Sequence, residues 1–474
     1  MMTAAGYTLI FIYIFFLIFV LGEIVKKFAG VEASRKLVHI MLFGVWVLID
    51  VFLKNTVHQI IIPVIFLILN ALSYKFNIYK SVERTEGNHF GTVYFAAAIT
   101  VVLTIAYFCP AFYYPGGIAI ACLTFGDGFA ALIGYHVRSP RIHNSKSLAG
   151  FLACMIAVIL SLLAFRAIYD PALPVYAVFI IGAVTAILEM VDYGLDNFSI
   201  TFGTFFISYA LCSVPGERLV PGIVTALAVF AVVFFAKAIR YYGALLSAVM
   251  VFIFAYCGGT LGVVFLLAAY FSIFLISKIK KLCSGRNGRK SEKPRGFLQI
   301  LINGGLGSLF MVLYGVTGDM DLYIVSLIAI SGCFIDSVSS DVGVLSRAKP
   351  YDFIRRCHVE KGLSGGVTLL GTSASLAAAA LTAVYITWSA GLGGIYILLI
   401  TAIVFLQTAV DSVLGSVLQV KFICPECGAV TEKKVHCTAD TGYYSGVRWI
   451  DNNAVNLISS VLVTAAAAVV FAVL

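Results

Sequence analysis

The chain has 474 residues, 61% of them hydrophobic and only 12% charged, with a formal net charge of +9. Its mean hydropathy of +1.01 reflects more apolar surface than a water-soluble core can bury, which excludes an ordinary soluble domain. The positive balance is the lysine and arginine bias expected of loops on one side of a membrane, and it gives no support to nucleic-acid binding.

Apolar stretches of roughly 17–25 residues recur from end to end, each long enough to cross a hydrocarbon core of about 30 Å as a helix. In lipid only helices or closed barrels satisfy the backbone, and barrel strands would be shorter and alternating. The prediction is therefore an all-α polytopic integral membrane protein, with about sixteen transmembrane helices in two similar halves. The first stretch, 7–22, lacks a basic leading region and a small-residue cleavage site, so it reads as a retained span. Loops 26–36, 75–89, 136–147, 278–295, 341–361 and 419–453 fall on one side by this count and hold most of the lysine and arginine, whereas 109–114, 169–173 and 317–321 are nearly free of them. The positive-inside rule assigns the first set to the cytoplasm. The boundary between halves falls between 216 and 217, giving segments 1–216 and 217–474.

In the first half, Arg35, Lys36 and His39 open the second span, and Asp127 lies inside an apolar run between Gly126 and Gly128. An unpaired carboxylate there costs about 2.5–3.5 kcal/mol on insertion scales, so a cation, a lysine or a wet cavity must offset it. Arg138, Arg141, His143, Asn144, Lys146 and Ser147 then precede the next span, and helix-start N–H groups beside Lys146 make a phosphate seat. A second acidic set follows, with Glu189 and Asp192 ending one span and Asp196 and Asn197 opening the next. Carboxylates facing a phosphate seat suggest a bridging Mg²⁺.

These residues resemble the CTP-dependent polyprenol kinase family, the membrane enzymes that include dolichol kinase and plant phytol kinase. The family motif Asp-x-x-Ala-x-x-x-Gly is matched by Asp127, Ala130 and Gly134, and its Lys-Lys-Thr-x-Glu-Gly by Ser145, Lys146, Ser147, Leu148, Ala149 and Gly150, with one lysine and the glutamate replaced. Arg138 stands where the family has a further glycine. The Arg35-Lys36-x-x-His39 run resembles the family's early basic motif, and 91–95 its fourth span. The resemblance implies phosphorylation of a prenol by CTP or another nucleoside triphosphate.

In the second half, Asp336 and Asp341 lie five residues apart, a spacing that turns them apart on a helix unless the helix opens near Ser339 and Ser340. Arg347, Lys349, Arg355, Arg356, His358 and Lys361 lead into Ser364, Gly365 and Gly366, which read as a second phosphate cradle. Asp411, Asp451, Asn452, Asn453 and Asn456 place acids and amides at the ends of the last spans. The order of landmarks suggests a repeat, with Asp127 returning as Asp336 and Asp341, 145–150 as 361–366, and Asp196-Asn197 as Asp451-Asn452. Between the last two spans, Cys424, Cys427, His436 and Cys437 have the spacing of a tetrahedral structural zinc site.

From about residue 219 the chain resembles the transmembrane protein 19 family, which includes the plant phytyl-phosphate kinase, through Asn303-Gly304, 336–343, 361–371, 411–415 and 451–456. This second resemblance implies conversion of a prenyl monophosphate to the diphosphate. The combined expectation is a bifunctional kinase whose partners are a lipid prenol or prenyl phosphate and a nucleoside triphosphate with Mg²⁺. The rival readings are a cytidylyltransferase making a CDP-lipid and a prenyl-phosphate transporter, the latter suggested by repeats and intramembrane charges.

Overall fold

A computed structural model describes residues 2–76, 91–143, 146–190, 196–214, 216–235, 239, 241–283 and 296–474. The fold is all-α apart from short two- and three-stranded β-structures in the loops. Among the described residues, eleven apolar segments are long enough to cross a membrane, and three shorter apolar helices span His58–Ser73, Val175–Glu189 and Gly243–Tyr256. That measure falls short of about sixteen because three expected spans are the shorter helices, Asp196–Ser213 is not among the eleven, and the first two expected spans form one continuous stretch, Thr3–Phe52, reversed at Gly30. Gly30 has φ 88° and ψ 171°, a conformation that side chains on Cβ disfavour. The reversal brings Gly6 against Phe52 and lets the Tyr13 hydroxyl donate to the Met41 carbonyl at 2.7 Å.

The chain divides into two compact units, Met1–Val214 and Pro215–Leu474. In the first, the segment Pro110–His136 is the most enclosed of the crossing helices. It runs as an α-helix Tyr113–Ala121, a π-turn Cys122–Asp127 and an α-helix Gly128–His136. One extra residue per turn shifts the faces on either side of Asp127, and such π-bulges are frequent at functional sites. The helix Leu148–Ile168 packs between Gly128–His136 and Val175–Glu189, and Asp196–Ser213 closes the group.

In the second unit the helix Met320–Gly343 takes the central place, packed by Gly259–Cys283, Phe297–Thr317, Leu369–Ser389, Ile395–Val417 and Asn452–Val473. It is continuous through Ser339 and Ser340, so the opening expected there is absent; its backbone hydrogen bonds run on to Gly343.

Each unit contains the same joint. In the first, the Ser147 side chain caps Leu148–Ile168 by accepting from the Gly150 N–H at 3.2 Å, and its hydroxyl lies 3.5 Å from the Gly134 carbonyl. In the second, Thr368 caps Leu369–Ser389 by accepting from the Gly371 N–H at 3.1 Å, and its hydroxyl lies 3.5 Å from the Gly343 carbonyl. Gly134 and Gly343 each follow their aspartate, Asp127 and Asp336, by seven residues. The geometry therefore corrects the expected repeat register: 145–150 corresponds to 366–371, not to 361–366, because the capping hydroxyl and the glycine three residues later define the match.

The joint requires glycine on both sides. A Cβ at Gly371 would lie 2.7 Å from the Ser339 carbonyl oxygen, and one at Gly150 would lie 2.9 Å from that of Ala130. A Cβ at Gly305 meets nothing nearer than 3.5 Å. Gly371→Val is therefore expected to destabilise the detergent-solubilised protein by about 1–3 kcal/mol through overpacking, while Gly305→Ala leaves the melting temperature nearly unchanged. Equal melting temperatures for the two variants would contradict the joint's tight packing.

Candidate functional site

Asp127 and Lys36 are brought together from distant parts of the chain by close helix packing. A Cβ on Gly128 would fall on Ile40, so Gly22–Met41 can approach the π-turn only because that position is glycine. Lys36 Nζ then donates to Asp127 Oδ2 at 2.6 Å, with both side chains more than nine-tenths buried. His39 Nε2 lies 3.3 Å from the same oxygen and 3.2 Å from the Leu123 carbonyl. Gly126 faces the other way, where a Cβ would meet Thr185 and Val158 at 3.1 Å.

Another ion pair of this unit joins Lys146, just before the Ser147 cap, to Glu189 at the end of Val175–Glu189. Asn197 donates to the Gly91 carbonyl at 2.9 Å, tying the start of Asp196–Ser213 to the start of Gly91–Phe108. Arg35 is turned to Glu32 at 2.6 Å. Ala130 packs with Cys154 and Ala186. The Asp196 side chain, Asp192, Asn144, Ser145 and the His143 side chain lie outside the described residues.

The second unit arranges its polar residues differently from the sequence expectation. Asp341 is paired with Lys280 at 2.8 Å and accepts from the Ser277 hydroxyl at 3.0 Å. Asp336, on another face of the same helix, lies instead in the field of Asp411 on Ile395–Val417. The expected pairing of Asp336 with Asp341 is not made, since an unbroken helix turns residues five apart away from each other. The Asn456 amide donates to Asp411 Oδ2 at 3.2 Å and to the Asn452 carbonyl at 3.1 Å. Beside them, Gln407 donates to Cys333 Sγ at 3.8 Å, and Cys333 Sγ donates to the Ser460 hydroxyl at 3.8 Å. Among the described residues neither Asp336 nor Asp411 forms an ion pair.

Other expected residues take visible structural places. Asp451 caps Asn452–Val473 by accepting from the Ala454 N–H at 3.0 Å; Asn453 is half-buried in its first turn. Ser340 donates to the Ser337 carbonyl at 3.2 Å, and Asn303 is half-buried within Phe297–Thr317. Lys361 donates to the Val344 and Ser346 carbonyls, capping the C-terminal end of Met320–Gly343.

Gly365, with φ 89°, rests on Ser416, and Ser364 rests on Gly415, so the 362–366 turn is seated on the end of Ile395–Val417. Asp352 sits beneath it, accepting from the N–H groups of Ile354 and Arg355 at 3.0 and 2.9 Å and from the Ser416 hydroxyl at 2.7 Å. Burial pushes the Asp352 carboxyl up, but the Arg355 N–H, Ser416 and the Ile354 N–H together hold it below its ordinary value. Lys421 donates to the Ser364 carbonyl at 3.0 Å; burial, with the Arg355 charge added, lowers the affinity of its amine for a proton. Glu432 Oε1 accepts from the Ser364 N–H at 2.7 Å. Sequence reasoning passed over Lys280, Asp352, Gln407, Lys421 and Glu432. A faint signal existed for Asp352, whose carboxyl begins a turn closed two residues on, a habit of aspartate in loops.

The sulfur and ring-nitrogen atoms of Cys424, Cys427, His436 and Cys437 all lie within 4.8 Å of one another, a group able to hold a metal ion. The Cys427 N–H pushes the Cys424 thiol down to about 6, and the hydrogen bond to Cys427 pushes Cys437 up to about 11.

The model of the integral membrane protein DUF92 family matches residues 224–464, half of the chain and nearly all of the second unit. The chain belongs to this family. It is 30% identical over 219 residues to Protein PGR of Arabidopsis thaliana, a match covering 39% of this chain and 74% of that protein. An uncharacterized membrane protein of Methanocaldococcus jannaschii is 30% identical over 145 residues, covering 30% of this chain and 59% of the relative. No solved structure matches. The DUF92 match and the apolar helices together make this a multi-pass integral membrane protein.

The Lys36–Asp127 pair gives a stability prediction. Lys36→Met leaves a buried carboxylate uncompensated and should destabilise the protein by about 3–5 kcal/mol. Adding Asp127→Leu should restore most of that loss in denaturant unfolding of the detergent-solubilised chain. If the double variant is as unstable as the single one, the pairing is not what holds Lys36 in place.

Proposed function

We propose that the chain is a bifunctional membrane kinase. Its first unit phosphorylates a prenol such as phytol, farnesol or geranylgeraniol with CTP or another nucleoside triphosphate, and its second converts the monophosphate to the diphosphate. The observation that carries this reading is the repeated joint, in which a carboxylate in the most enclosed helix precedes by seven residues a glycine set against a hydroxyl-capped, glycine-bearing helix start. Helix starts favour phosphate through their N–H groups and dipole. The resemblance of Asp127, Ala130, Gly134 and 145–150 to the polyprenol kinases, and of the second unit to the transmembrane protein 19 family, supports the choice of substrate.

The residues present fit Mg²⁺, a hard cation that prefers carboxylate oxygens. In the first unit Asp127 with Glu189 or Asp196 would hold it, and bound Mg²⁺ would neutralise nucleotide phosphate charge. Lys36 and Lys146, now on carboxylates, would turn to phosphate oxygens, where Lys146 stabilises charge on the transferred group. His39, Arg35, Ser147 and Gly150 border the same place. In the second unit Asp336 and Asp411, half-buried on two packed helices, would hold Mg²⁺, since a shared cation keeps neighbouring carboxylates ionised. Lys361, Ser364, Gly365 and Gly366 would receive phosphate at the rim. The transition state of phosphoryl transfer is loose, so positioning and charge suffice without an assigned base. The positive-inside bias of the lysine- and arginine-rich loops supports a cytoplasmic position for both sites.

The test supplies purified protein with radiolabelled CTP, ATP or GTP and several prenols, and resolves alcohol, monophosphate, diphosphate and any CDP-lipid. Asp127→Asn is expected to reduce monophosphate formation at least about 100-fold, and Asp336→Asn to make monophosphate accumulate. A variant that blocks both steps equally would overturn the two-site assignment. A CDP-lipid product would identify a cytidylyltransferase instead, and vesicle flipping of a prenyl phosphate without chemistry would identify a carrier.

A further inference from the structure

We propose that Cys424, Cys427, His436 and Cys437 bind a zinc-class divalent ion, and that the ion fixes Lys421 on the Ser364 carbonyl and Glu432 on the Ser364 N–H, setting the shape of the 362–366 turn. The donor spacing fits such an ion. With Zn–S arms of about 2.3 Å and Zn–N arms of about 2.0–2.1 Å, a tetrahedron has S···S edges of about 3.8 Å and S···N edges of about 3.6 Å. The Cys427–Cys437 sulfurs are 3.7 Å apart, and the Nδ1 of His436 lies 3.5 Å from Cys427 Sγ and 3.3 Å from Cys437 Sγ. A disulfide would need about 2.05 Å between two sulfurs and would leave the other two donors unexplained.

The backbone around the donors is bent toward a common point. Gly428, with φ 69°, lets the chain fold back so that its N–H donates to the Cys424 carbonyl at 3.0 Å, while the Cys424 N–H donates to Ala429 at 3.0 Å. On the other side, Val435–His436 pairs with Ala439–Asp440 across a two-residue turn, Cys437 and Thr438, with φ 48° and 69°. Both turn residues are left-handed and neither is glycine or asparagine, a strain on the order of 1–3 kcal/mol each that persists only where the surroundings impose it. A ligand held by both His436 and Cys437 imposes it.

A separate three-stranded sheet, Val430–Thr431, Lys421–Ile423 and Gly442–Ser445, carries Lys421 and leads into Glu432, the two residues that clasp the turn. Lys421 begins the strand Lys421–Ile423, which leads directly into Cys424, and Glu432 directly follows the partner strand Val430–Thr431. Lys421 donates to the Ser364 carbonyl at 3.0 Å, and Glu432 accepts the Ser364 N–H at 2.7 Å, so the two peptide planes that meet at Ser364 are each held. Strands of two to four residues do not hold a sheet in register by themselves. A four-donor ion with no open position does, and acts as a structural clamp and not as a reaction centre. The inference concerns the turn's shape and stands whatever the turn binds.

The test uses the full chain in detergent. Elemental analysis is expected to find about one zinc-class ion per chain. Cobalt substitution is expected to give the thiolate charge-transfer and tetrahedral d–d bands, both lost in Cys427→Ser. In hydrogen exchange, peptides covering 361–367 should exchange at least about tenfold faster after chelation and return on re-addition of Zn²⁺. Glu432→Gln leaves all four donors in place, so it should keep the cobalt bands yet raise exchange in the same peptides. Absence of the thiolate bands in the wild-type chain overturns the metal site. Bands with turn exchange indifferent both to chelation and to Glu432→Gln overturn the clamp.

Discussion

A carboxylate inside an apolar helix must be matched by positive charge or it will not stay there. Much of the first unit follows from meeting that demand for Asp127. The matching ammonium comes from Lys36, on a helix far away in the chain, and reaches Asp127 at 2.6 Å only because Gly128 lets Ile40 come close. Gly30 reverses the chain before Lys36, and the π-turn places Asp127 on the face that Lys36 meets. One electrostatic constraint thus explains two glycines, a helix reversal and an irregular turn.

The second unit solves a related problem with another set of groups. Its acids Asp336 and Asp411 lie on two packed helices, with the Asn456 amide beside Asp411, while the ammonium of Lys280 goes to Asp341. The shared element is the joint of capping hydroxyl and apposed glycines, Ser147 with Gly134 and Gly150, and Thr368 with Gly343 and Gly371. Because only glycine permits that approach, the joint fixes where each loop leaves the helices and where its polar groups gather. Family membership covers the second unit, so the likeness between units rests on this geometry and on the spacing of the residues that make it.

The loop bearing Cys424 to Cys437 adds a device that the first unit lacks among the described residues. It is built on short strands whose neighbours Lys421 and Glu432 reach back to the Ser364 turn. A carboxylate on the Ser364 N–H and an ammonium on the Ser364 carbonyl restrict a glycine-bearing turn that would otherwise sample many conformations.

The fold class was legible in the residues alone, because the length and recurrence of apolar stretches leave helices as the backbone solution in lipid, and Asp127, Lys146, Glu189 and Asp336 stood out because charge in such stretches is costly. The sequence also marked the four metal-type donors through their spacing. It did not determine partners. Lys36 meets Asp127 across 91 residues, Asp341 turns to Lys280 and away from Asp336, and the repeat aligns on Thr368 and Gly371, three choices made by helix packing. Linear spacing records which residues share a helix face, whereas contacts between helices depend on close approach at single glycines such as Gly128 and Gly371, and only the tertiary structure decides those.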